Sequence, residues 1–480
     1  MSAFDLIIRG GRVATAADVV SCDIGIRDGR IAALADRLDG AERVIDASGC
    51  TVTPGGVDGH CHIDQPSLDG SVCADDFFSG TRSAAAGGTT TVIPFALQMR
   101  GQTLKAAVDD YHDRAQGRAV VDYAFHLIVT DPTPQVCGQE LPALIRDGYS
   151  SFKIYMTYDD LKLNDRQIMD VLAAARRARG MVMVHAENSE CIAWLTQRLE
   201  EAGKTAPRYH ASSRPRPVER EATHRAITLS ELLDVPILVV HVSAREATWE
   251  IRRAQSRGLK IFAETCPQYL FLTEDDLDKP EFEGAKCICS PPPRDRENQE
   301  VIWDGLRNGT FQVFSSDHAP SRFDDPKGKK LRGTDASFRW VPNGLPGIET
   351  RLPLLFSEGV CKGRIDLTTF VALTATNPAK IYGLYPRKGT IAVGADADIV
   401  VWDDARELTI SNDLLHHDVD YTPYAGMQIK GWPGTVLSRG EVVWDGNQVV
   451  GEAGRGAFLP CDQPDAAAPL GRSVVEGLET

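Results

Sequence analysis

The sequence predicts an α/β protein built from a parallel (β/α)8 barrel, the TIM barrel, and a small β-sandwich. Between residues 53 and 380, eight short and nearly all-apolar runs alternate with amphipathic helical stretches, as is typical of parallel strands buried on both faces. Residues 1–52 instead carry short β-type runs separated by Gly and Asp turns, and this pattern returns in residues 381–456. Residues 457–480 are rich in Pro and Ala and show little periodicity.

Each element follows from its local pattern. The two terminal β regions are predicted to form one sandwich, because neither has enough strands to bury a face alone. Barrel strands are predicted at residues 51–63, 89–96, 123–130, 150–156, 181–187, 236–243, 260–266 and 311–319. Helices are predicted, where helical spacing ends near a Gly or a basic turn, at residues 75–86, 102–114, 165–179, 189–202 and 244–257. A doubly wound sheet fits less well, since no GxGxxG follows the first strand. The tail from residue 457 is expected to wrap a neighbouring element or to stay loose.

Composition excludes several classes of function. The 480 residues are 42% apolar and 25% charged, as in ordinary globular proteins, and the net charge of −15 disfavours nucleic acid and anionic membranes. Neither a membrane span nor a secretion signal is predicted, because no long apolar stretch is present. The 11 scattered cysteines, without a CxxC pair, indicate reduced thiols and a cytoplasmic location. The basic cluster at residues 327–332, beside Asp324 and Asp325, predicts a solvated loop.

Candidate functional residues follow from the rule that a TIM barrel carries its chemistry at the C-terminal ends of its strands. The first predicted strand ends in His60 and His62, which point to the same face of an extended chain and can bind one metal. The fourth, fifth, sixth and eighth strands contribute one candidate each: Lys153, His185, His241 and Asp317. The second, third and seventh strands offer no comparable ligand. Each residue alone has an ordinary explanation in capping or packing, but six on one barrel mouth indicate a site.

The types of these six residues indicate a binuclear metal site. Neutral imidazoles and a carboxylate suit Zn²⁺ or a similar divalent ion. A protonated lysine would repel the cations, so Lys153 belongs in this set only as an anion. Carbamylation by CO₂ produces such an anion, and the two oxygens of a carbamate can bridge two metals. A metal pair about 3.5 to 4 Å apart would then supply a hydroxide nucleophile, because metal charge lowers the pKa of bound water.

Several motifs resemble those of the cyclic amidohydrolases, specifically the dihydropyrimidinase and hydantoinase family. They are GGVDGHCHID, the Lys of SSFKIYMTY, HAEN, HVS, SPPPR, SSDHAP and PNGLPGIETR. The resemblance covers nearly the whole chain, and GADADIV at residues 394–400 resembles the strand that rejoins the sandwich in this superfamily. As a set these motifs are highly specific, whereas HxH alone would be weak.

The resemblance implies a role for each candidate. One metal is expected on His60, His62 and Asp317, the other on His185 and His241, with carbamylated Lys153 as the bridge. Asp317 is also expected to act as general base, passing a proton to the leaving nitrogen. The resemblance further implies that Tyr158 donates a hydrogen bond to the developing oxyanion and that the main chain of Ser290 and Asn343 holds the cyclic amide.

Close relatives differ at a few positions. Dihydroorotase resembles this barrel but typically reads HxHxR, and here Asp64 takes the place of the Arg, so that a carboxylate would repel an anionic ring. Allantoinase acts on a neutral hydantoin ring, and PNGLPGIE together with Tyr158 favours dihydropyrimidinase over it. The loop after His62 has Ser67, Leu68 and Asp69 where aromatic and Gly residues are common in hydantoinases. The resemblance therefore does not extend to a preference for bulky aryl substituents.

The predicted function is hydrolysis of a dihydropyrimidine or hydantoin ring to an N-carbamoyl amino acid. Allantoinase and cyclic-imide hydrolase are alternatives within the superfamily. A non-catalytic scaffold is the alternative from another class, similar to neuronal proteins of this fold that lack the ligands, whereas this sequence keeps all six. A single-metal deaminase would not need Lys153. The resemblance also implies a homotetramer or homodimer that binds a small cyclic amide. From charge and hydropathy, neither nucleic acid nor membrane is expected as a partner.

Overall fold

A computed structural model describes residues 2–472 of the chain. The first part of this range forms a small β domain. Its first strands are β1 (Phe4–Ala14), β2 (Val19–Arg27), β3 (Arg30–Ala35), β4 (Ala41–Asp46) and β5 (Thr51–Pro54). Strands β2 and β3 form a hairpin through Asp28 and Gly29, whose φ angles of 51° and 72° suit a tight two-residue turn. A hairpin of this kind follows from the Asp-Gly pair in the sequence.

The barrel strands follow directly. They are β6 (Gly56–Cys61), β7 (Thr89–Leu97), β8 (Asp122–Tyr123), β9 (His126–Ile128), β10 (Ser151–Tyr155), β11 (Met181–His185), β12 (Ile237–Val239), β13 (Ile261–Thr265) and β14 (Val313–Phe314). They form one parallel sheet in the order β14-β13-β12-β11-β10-β9-β7-β6, with β8 beside β7. Beyond β14 the two ends approach, because the Asp317 N–H donates to the His60 carbonyl at 2.9 Å and the His62 N–H donates to the His318 carbonyl at 2.6 Å. The predicted barrel fold is confirmed.

One predicted strand boundary is wrong. The run at residues 51–63 is two strands rather than one, because β5 belongs to the small domain and β6 to the barrel. The break falls at Gly55, where a Cβ atom would lie 2.1 Å from the Thr90 hydroxyl. A side chain at this position would therefore clash with the neighbouring barrel strand.

Helices connect the barrel strands. They are α1 (Phe77–Ala86), α2 (Leu104–Ala115), α3 (Leu141–Arg146), α4 (Asp165–Ala178), α5 (Ser189–Glu201), α6 (Tyr209–Ser213), α7 (Arg216–Leu233), α8 (Arg245–Ser256), α9 (Gln268–Phe271), α10 (Arg296–Arg307), α11 (Arg351–Leu355), α12 (Leu367–Val371) and α13 (Asn377–Tyr382). The five predicted helices coincide with α1, α2, α4, α5 and α8. Helix α7 was not predicted, because it ends at Asp234 in the left-handed conformation rather than at a glycine. No helix among residues 2–472 is long and apolar enough to cross a membrane.

The C-terminal region returns to the small domain. Strands β15 (Ile399–Thr409), β16 (Gln428–Ser438) and β17 (Glu441–Trp444) complete a sheet in the order β17-β16-β15-β5-β1-β2-β3, with β4 beside β1. Strand β15 pairs antiparallel with β5, which places Val401 opposite Val52. The two sequence-distant β regions thus form one domain, as predicted. Its buried core includes Leu6, Ile24, Val52, Ile399 and Leu437.

The tail packs against the barrel as far as the structure describes it. The Leu459 N–H donates to the Tyr123 carbonyl at 2.7 Å, and the Leu470 and Arg472 N–H groups donate to the Asp234 carboxylate at 3.1 and 2.9 Å. The described part of the tail therefore follows the outside of the barrel. Residues 473–480 of the predicted tail lie outside the described residues.

A buried ionic cluster joins the two domains. Lys388 Nζ lies 2.8 Å from carboxylate oxygens of Asp122 and Asp398 and 3.1 Å from one of Asp396. Asp122 belongs to barrel strand β8, whereas Asp396 and Asp398 precede strand β15 of the small domain. Burial alone would lower the pKa of Lys388, but the three carboxylates outweigh burial and raise it. We call these four residues the junction cluster.

Candidate metal centre

The C-terminal ends of β6, β10 and β14 bring four predicted ligands together. His60 Nε2 lies 2.8 Å from Lys153 Nζ and 3.2 Å from Asp317 Oδ1, and His62 Nε2 lies 3.5 Å from the same Asp317 oxygen. One ligand atom from each of His60, His62 and Asp317 lies within 4.8 Å of the other two. Two imidazoles and a carboxylate at this spacing can bind one divalent ion.

The other two predicted ligands form a second pair. His185 Nδ1, at the end of β11, lies 2.9 Å from His241 Nε2, just beyond β12. The ring centroids of His60 and His241 are 5.4 Å apart, so this pair adjoins the first group. The structure thus brings all six predicted ligands to one barrel mouth.

Glu264, on β13, orients both halves of the site. Its Oε1 accepts a hydrogen bond from His60 Nδ1 at 2.6 Å and one from the main-chain N–H of His241 at 3.1 Å. Bonding of Nδ1 leaves the Nε2 lone pair of His60 directed toward Lys153 and Asp317. The sequence predicts no comparable ligand on the seventh strand, and Glu264 bonds two of the six candidates rather than being one of them.

Two further side chains orient the imidazoles of His62 and His185. Gln65 Oε1 lies 2.6 Å from His62 Nδ1, and Glu187 Oε2 lies 2.8 Å from His185 Nε2. Carbonyl or carboxylate oxygens on the outer ring nitrogen are typical of histidines that bind metals. Glu187 lies in the HAEN motif, two residues after His185, and this position is the sequence feature that could have identified it.

Burial sets the protonation states of the ligands. It lowers the pKa of His60, His185 and His241 well below the usual value, and nearby Lys153 contributes to each shift. These three imidazoles are therefore neutral at neutral pH, as metal ligands must be. Burial alone would raise the pKa of Asp317, but the hydrogen bond from His62 and the electrostatic effects of the neighbouring His241, His62 and Lys153 side chains outweigh burial and lower it.

Lys153 is the unusual member of the site. It is 1% exposed, and its Nζ lies 4.6 and 4.9 Å from the ring centroids of Phe95 and Tyr155. Burial lowers its pKa to about 8, although Asp317 and Glu264 oppose the shift. A neutral amine is therefore accessible near neutral pH, in contact with Nε2 of His60.

Three predicted functional residues have an uncommon backbone conformation. The φ angles of Tyr158, His241 and Asp317 are 68°, 40° and 46°, in the left-handed region that residues other than glycine rarely adopt. Such a conformation costs about 1 to 3 kcal/mol per residue and is concentrated at functional sites. The packing around the barrel mouth therefore holds these side chains in place at a cost in stability.

A cavity of about 300 Å³ opens beside the six residues, and Tyr158, Ser290 and Asn343 line it. The Tyr158 ring centroid is 5.4 Å from that of His185, and burial raises the pKa of Tyr158 to about 12, against an opposing effect of Arg214. The phenol therefore keeps its proton and can donate it in a hydrogen bond. Ser290 Oγ donates to Asn343 Oδ1 at 3.1 Å, so these two predicted substrate contacts lie side by side.

Arg214 is a further residue of the site that the sequence did not single out. Its Nη1 donates to Glu187 Oε2 at 2.6 Å, and its guanidinium carbon lies 5.4 Å from the Tyr158 ring centroid. Arg214 is buried and lies in the connection between α6 and α7. It therefore contacts both the partner of a metal-ligand candidate and the predicted oxyanion donor.

Asp64 is paired with an arginine and lies away from the cavity wall. Asp64 Oδ1 lies 2.8 Å from Arg114 Nη1, and Asp64 is not among the residues that line the described cavity. Because its charge is paired, Asp64 does not repel an anionic ring as expected. The absence of an Arg at this position still distinguishes the chain from the HxHxR pattern.

A TIM barrel with imidazoles and a carboxylate at its mouth defines a class of metal-dependent hydrolases, and comparison with known proteins agrees. The sequence profile of the Amidohydrolase family matches residues 51–443, which is most of the chain. The protein therefore belongs to the amidohydrolase family, whose members carry a binuclear metal centre. The donor set described above fits such a centre.

Individual relatives identify a narrower group within the amidohydrolase family. The chain is 46% identical to the D-hydantoinase of Ralstonia pickettii over 95% of this chain and 98% of the relative, and 47% identical to the D-hydantoinase of Geobacillus stearothermophilus over 94% and 96%. The crystal structure of dihydropyrimidinase from Brevibacillus agri superposes with a TM-score of 0.93 at 43% identity, covering 95% of this chain and 99% of that one. The protein belongs to the dihydropyrimidinase and D-hydantoinase family of cyclic amidohydrolases.

Proposed function

We propose that the protein opens the cyclic amide ring of hydantoins and dihydropyrimidines and releases N-carbamoyl amino acids. One observation carries this proposal: six ligand-type side chains converge beside a cavity of about 300 Å³ at the barrel mouth. The D-hydantoinases that share 46 and 47% of aligned residues support the ring chemistry.

We assign the metal ligands as the resemblance implies. His60, His62 and Asp317 would hold one Zn²⁺, His185 and His241 would hold the other, and a carbamate on Lys153 would lie between them. When bound, such ions polarise an amide carbonyl and lower the pKa of water. The orientation of three imidazoles by Gln65, Glu187 and Glu264 supports this assignment.

The carbamate forms from the neutral amine of Lys153. The amine nitrogen would attack the carbon of CO₂: a carbon–nitrogen bond forms, one carbon–oxygen π bond becomes an oxygen lone pair, and the nitrogen releases one proton to solvent, so that a neutral side chain becomes an anion. The lowered pKa of about 8 makes the reactive amine available. The resulting negative charge removes the repulsion that an ammonium group would exert on cations beside His60.

The remaining residues act on the substrate and its protons. Asp317 would act as general base and pass a proton to the leaving nitrogen, and the Gln268 amide donates to its Oδ2 at 3.3 Å, which leaves Oδ1 toward His60 and His62. Tyr158 would donate a hydrogen bond to the developing oxyanion. The main chain of Ser290 and Asn343 would hold the ring, as the position of both residues on the cavity wall supports.

A substrate panel tests this proposal against its alternatives. Metal-loaded protein is assayed with dihydrouracil, dihydrothymine, 5-substituted hydantoins, allantoin and simple cyclic imides, and kcat/KM is ranked. We expect the hydantoins and dihydropyrimidines to rank highest. Allantoin or a cyclic imide in first place would support the alternative hydrolases, and absence of both turnover and bound metal would support the non-catalytic scaffold.

Assembly and location are proposed on separate grounds. We propose a homotetramer or homodimer from the family resemblance, which light scattering after size-exclusion chromatography tests. We also propose a cytoplasmic location, because all eleven cysteines, each within the described residues, are unpaired and suit a reducing compartment. Fractionation of the source cells tests the second proposal.

A further inference from the structure

Lys329 is buried although its sequence neighbourhood predicts a solvated loop. Lys327 is exposed as expected, but Lys329 is only 1% exposed, so the prediction is wrong at this position. Its Nζ donates to three main-chain carbonyls, those of Ile288 at 3.0 Å, Pro342 at 2.7 Å and Gly344 at 2.7 Å. An ammonium group has three N–H donors, so each of them is used.

These carbonyls belong to two segments that form one wall of the cavity. Ser290 lies two residues after Ile288, and Asn343 lies between Pro342 and Gly344. The segments also bond directly, because the Gly344 N–H donates to the Ile288 carbonyl at 3.0 Å. Lys329 therefore holds the chain on both sides of Asn343 and next to Ser290.

The loop that carries Lys329 also contacts a third part of the cavity wall. The Val72 N–H donates to the Lys327 carbonyl at 2.9 Å, and Val72 lies between Ser71 and Cys73, which both line the cavity. The Lys329 N–H itself donates to the Arg322 carbonyl at 2.8 Å, which fixes the loop internally. One loop thus joins three segments around the substrate cavity.

Burying the Lys329 amine costs desolvation free energy, which its hydrogen bonds must offset. Burial lowers the pKa of Lys329 to about 7. Its bonding partners are neutral carbonyl oxygens rather than a carboxylate, in contrast to the junction cluster. An apolar side chain of similar length would fill the same space without the desolvation cost.

We propose that Lys329 is a positioning residue for the cyclic amide substrate, which sets the spacing of segments 288–290 and 342–344. This inference rests on the proposed function, in which the main chain of Ser290 and Asn343 holds the ring. Loss of the three hydrogen bonds should let the two segments separate, which weakens ring binding but leaves the metal ligands in place. The effect should therefore fall on KM rather than on kcat.

The test compares Lys329→Met with Lys330→Met. Methionine matches the length of lysine but donates no hydrogen bond. Lys330 is a matched control from the same loop, because its Nζ bonds to the Asp324 carboxylate at 2.7 Å and lies 4.6 Å from the Phe323 ring centroid. The substrates are unsubstituted hydantoin and dihydrouracil. We expect Lys329→Met to raise KM by about tenfold and to lower kcat by less than about threefold, because the lost contacts bind the ground state and the transition state equally. The metal content of both variants should equal that of the parent protein.

Hydrogen exchange provides a readout that does not depend on turnover. In Lys329→Met, the amides of peptides covering residues 286–292 and 340–346 should exchange faster, whereas those of strands β10 and β11 should be unchanged. If the parent protein does not open either ring, the proposed function fails, and exchange alone then decides whether Lys329 joins the two segments.

Three results obtained with a folded variant would overturn the inference. They are unchanged KM and unchanged exchange in Lys329→Met, a fall in kcat at constant KM, or an equal effect from Lys330→Met. If Lys329→Met does not fold, Lys329→Gln, which retains two N–H donors, replaces it with a smaller expected rise in KM. If neither variant folds, Lys329 acts in folding rather than in substrate positioning, and the inference is wrong.

Discussion

The candidate metal centre and the junction cluster each bury a lysine, and the pKa of the two lysines shifts in opposite directions. Lys388 is surrounded by three carboxylates at 2.8 to 3.1 Å, which raise its pKa. Lys153 instead contacts an imidazole at 2.8 Å, and burial lowers its pKa to about 8. Carboxylates therefore keep the buried amine of Lys388 charged, whereas the buried amine of Lys153, which contacts an imidazole, can lose its proton near neutral pH.

The two lysines also differ in the groups that surround them. The partners of Lys388 come from both domains, so its ion pairs hold the small domain on the barrel. The partners of Lys153 are the candidate metal ligands, and hydrogen bonds to Gln65, Glu187 and Glu264 on one ring nitrogen leave the other ring nitrogen of His62, His185 and His60 free to bind an ion. Substitution in the two regions should therefore affect different properties.

The largest effect is expected from Lys153→Ala. Without the bridging anion the two ions lose a shared ligand, so the variant should lose bound metal, and kcat/KM should fall by at least about 1000-fold because metal activation of water is lost. Its melting temperature in the presence of chelator should match that of the parent protein. Metal analysis, activity and thermal denaturation measure this, and full activity in Lys153→Ala would exclude the bridge.

Lys388→Met should show the converse pattern. Removing the cation leaves Asp122, Asp396 and Asp398 buried together, and loss of one partner of a buried ion pair costs about 3 to 5 kcal/mol of the free energy of unfolding. Metal content should be retained in the folded fraction. Denaturant titration measures the loss, with Lys380→Met, an exposed lysine on α13, as control. A variant as stable as this control would contradict the structural role of the cluster.

Tyr158→Phe tests the oxyanion donor within the metal centre. Removing one such donor lowers kcat by about 100-fold to 1000-fold. Because the hydrogen bond strengthens only as charge develops, kcat and kcat/KM should fall together, and bound metal should be unchanged. Steady-state kinetics with metal analysis check this, and a change confined to KM would assign Tyr158 to ground-state binding.

Glu187→Gln should have the smallest effect of the four. Its carboxylate bonds both His185 and Arg214, and loss of such a partner weakens metal binding by about 10-fold to 100-fold. Competition with a chelator measures the affinity. Glu190→Gln is the matched control, because Glu190 lies nearby on α5 but its side chain is 85% exposed. Equal metal affinity in the two variants would remove Glu187 from the site.

Most of the architecture was predictable because strand periodicity and strand ends are local signals. Five helices and the joining of two distant β regions followed from sequence pattern, whereas the break at Gly55 depends on the Thr90 side chain of a neighbouring strand. The six candidate ligands follow from residue type at predicted strand ends, and the structure brings them together. Glu264 and Arg214 do not follow from residue type, because their roles come from contacts with residues distant in sequence.

The same reason explains the error at Lys329. A run of basic residues beside aspartates is usually solvated, and Lys327 follows that rule. Nothing local shows that the third residue of the run turns inward to three carbonyls contributed by two other segments. Sequence pattern therefore predicts the exposure of the loop but not of this side chain.

The most direct test of the account measures carbamate and metal in one sample. The protein is prepared with ¹³C-labelled bicarbonate and Zn²⁺, and the carbamate carbon is observed by NMR while metal is counted per chain. We predict one carbamate carbon and two metal ions per chain, with the carbamate signal absent from Lys153→Ala. A fully active, metal-loaded protein without any carbamate signal would contradict the account.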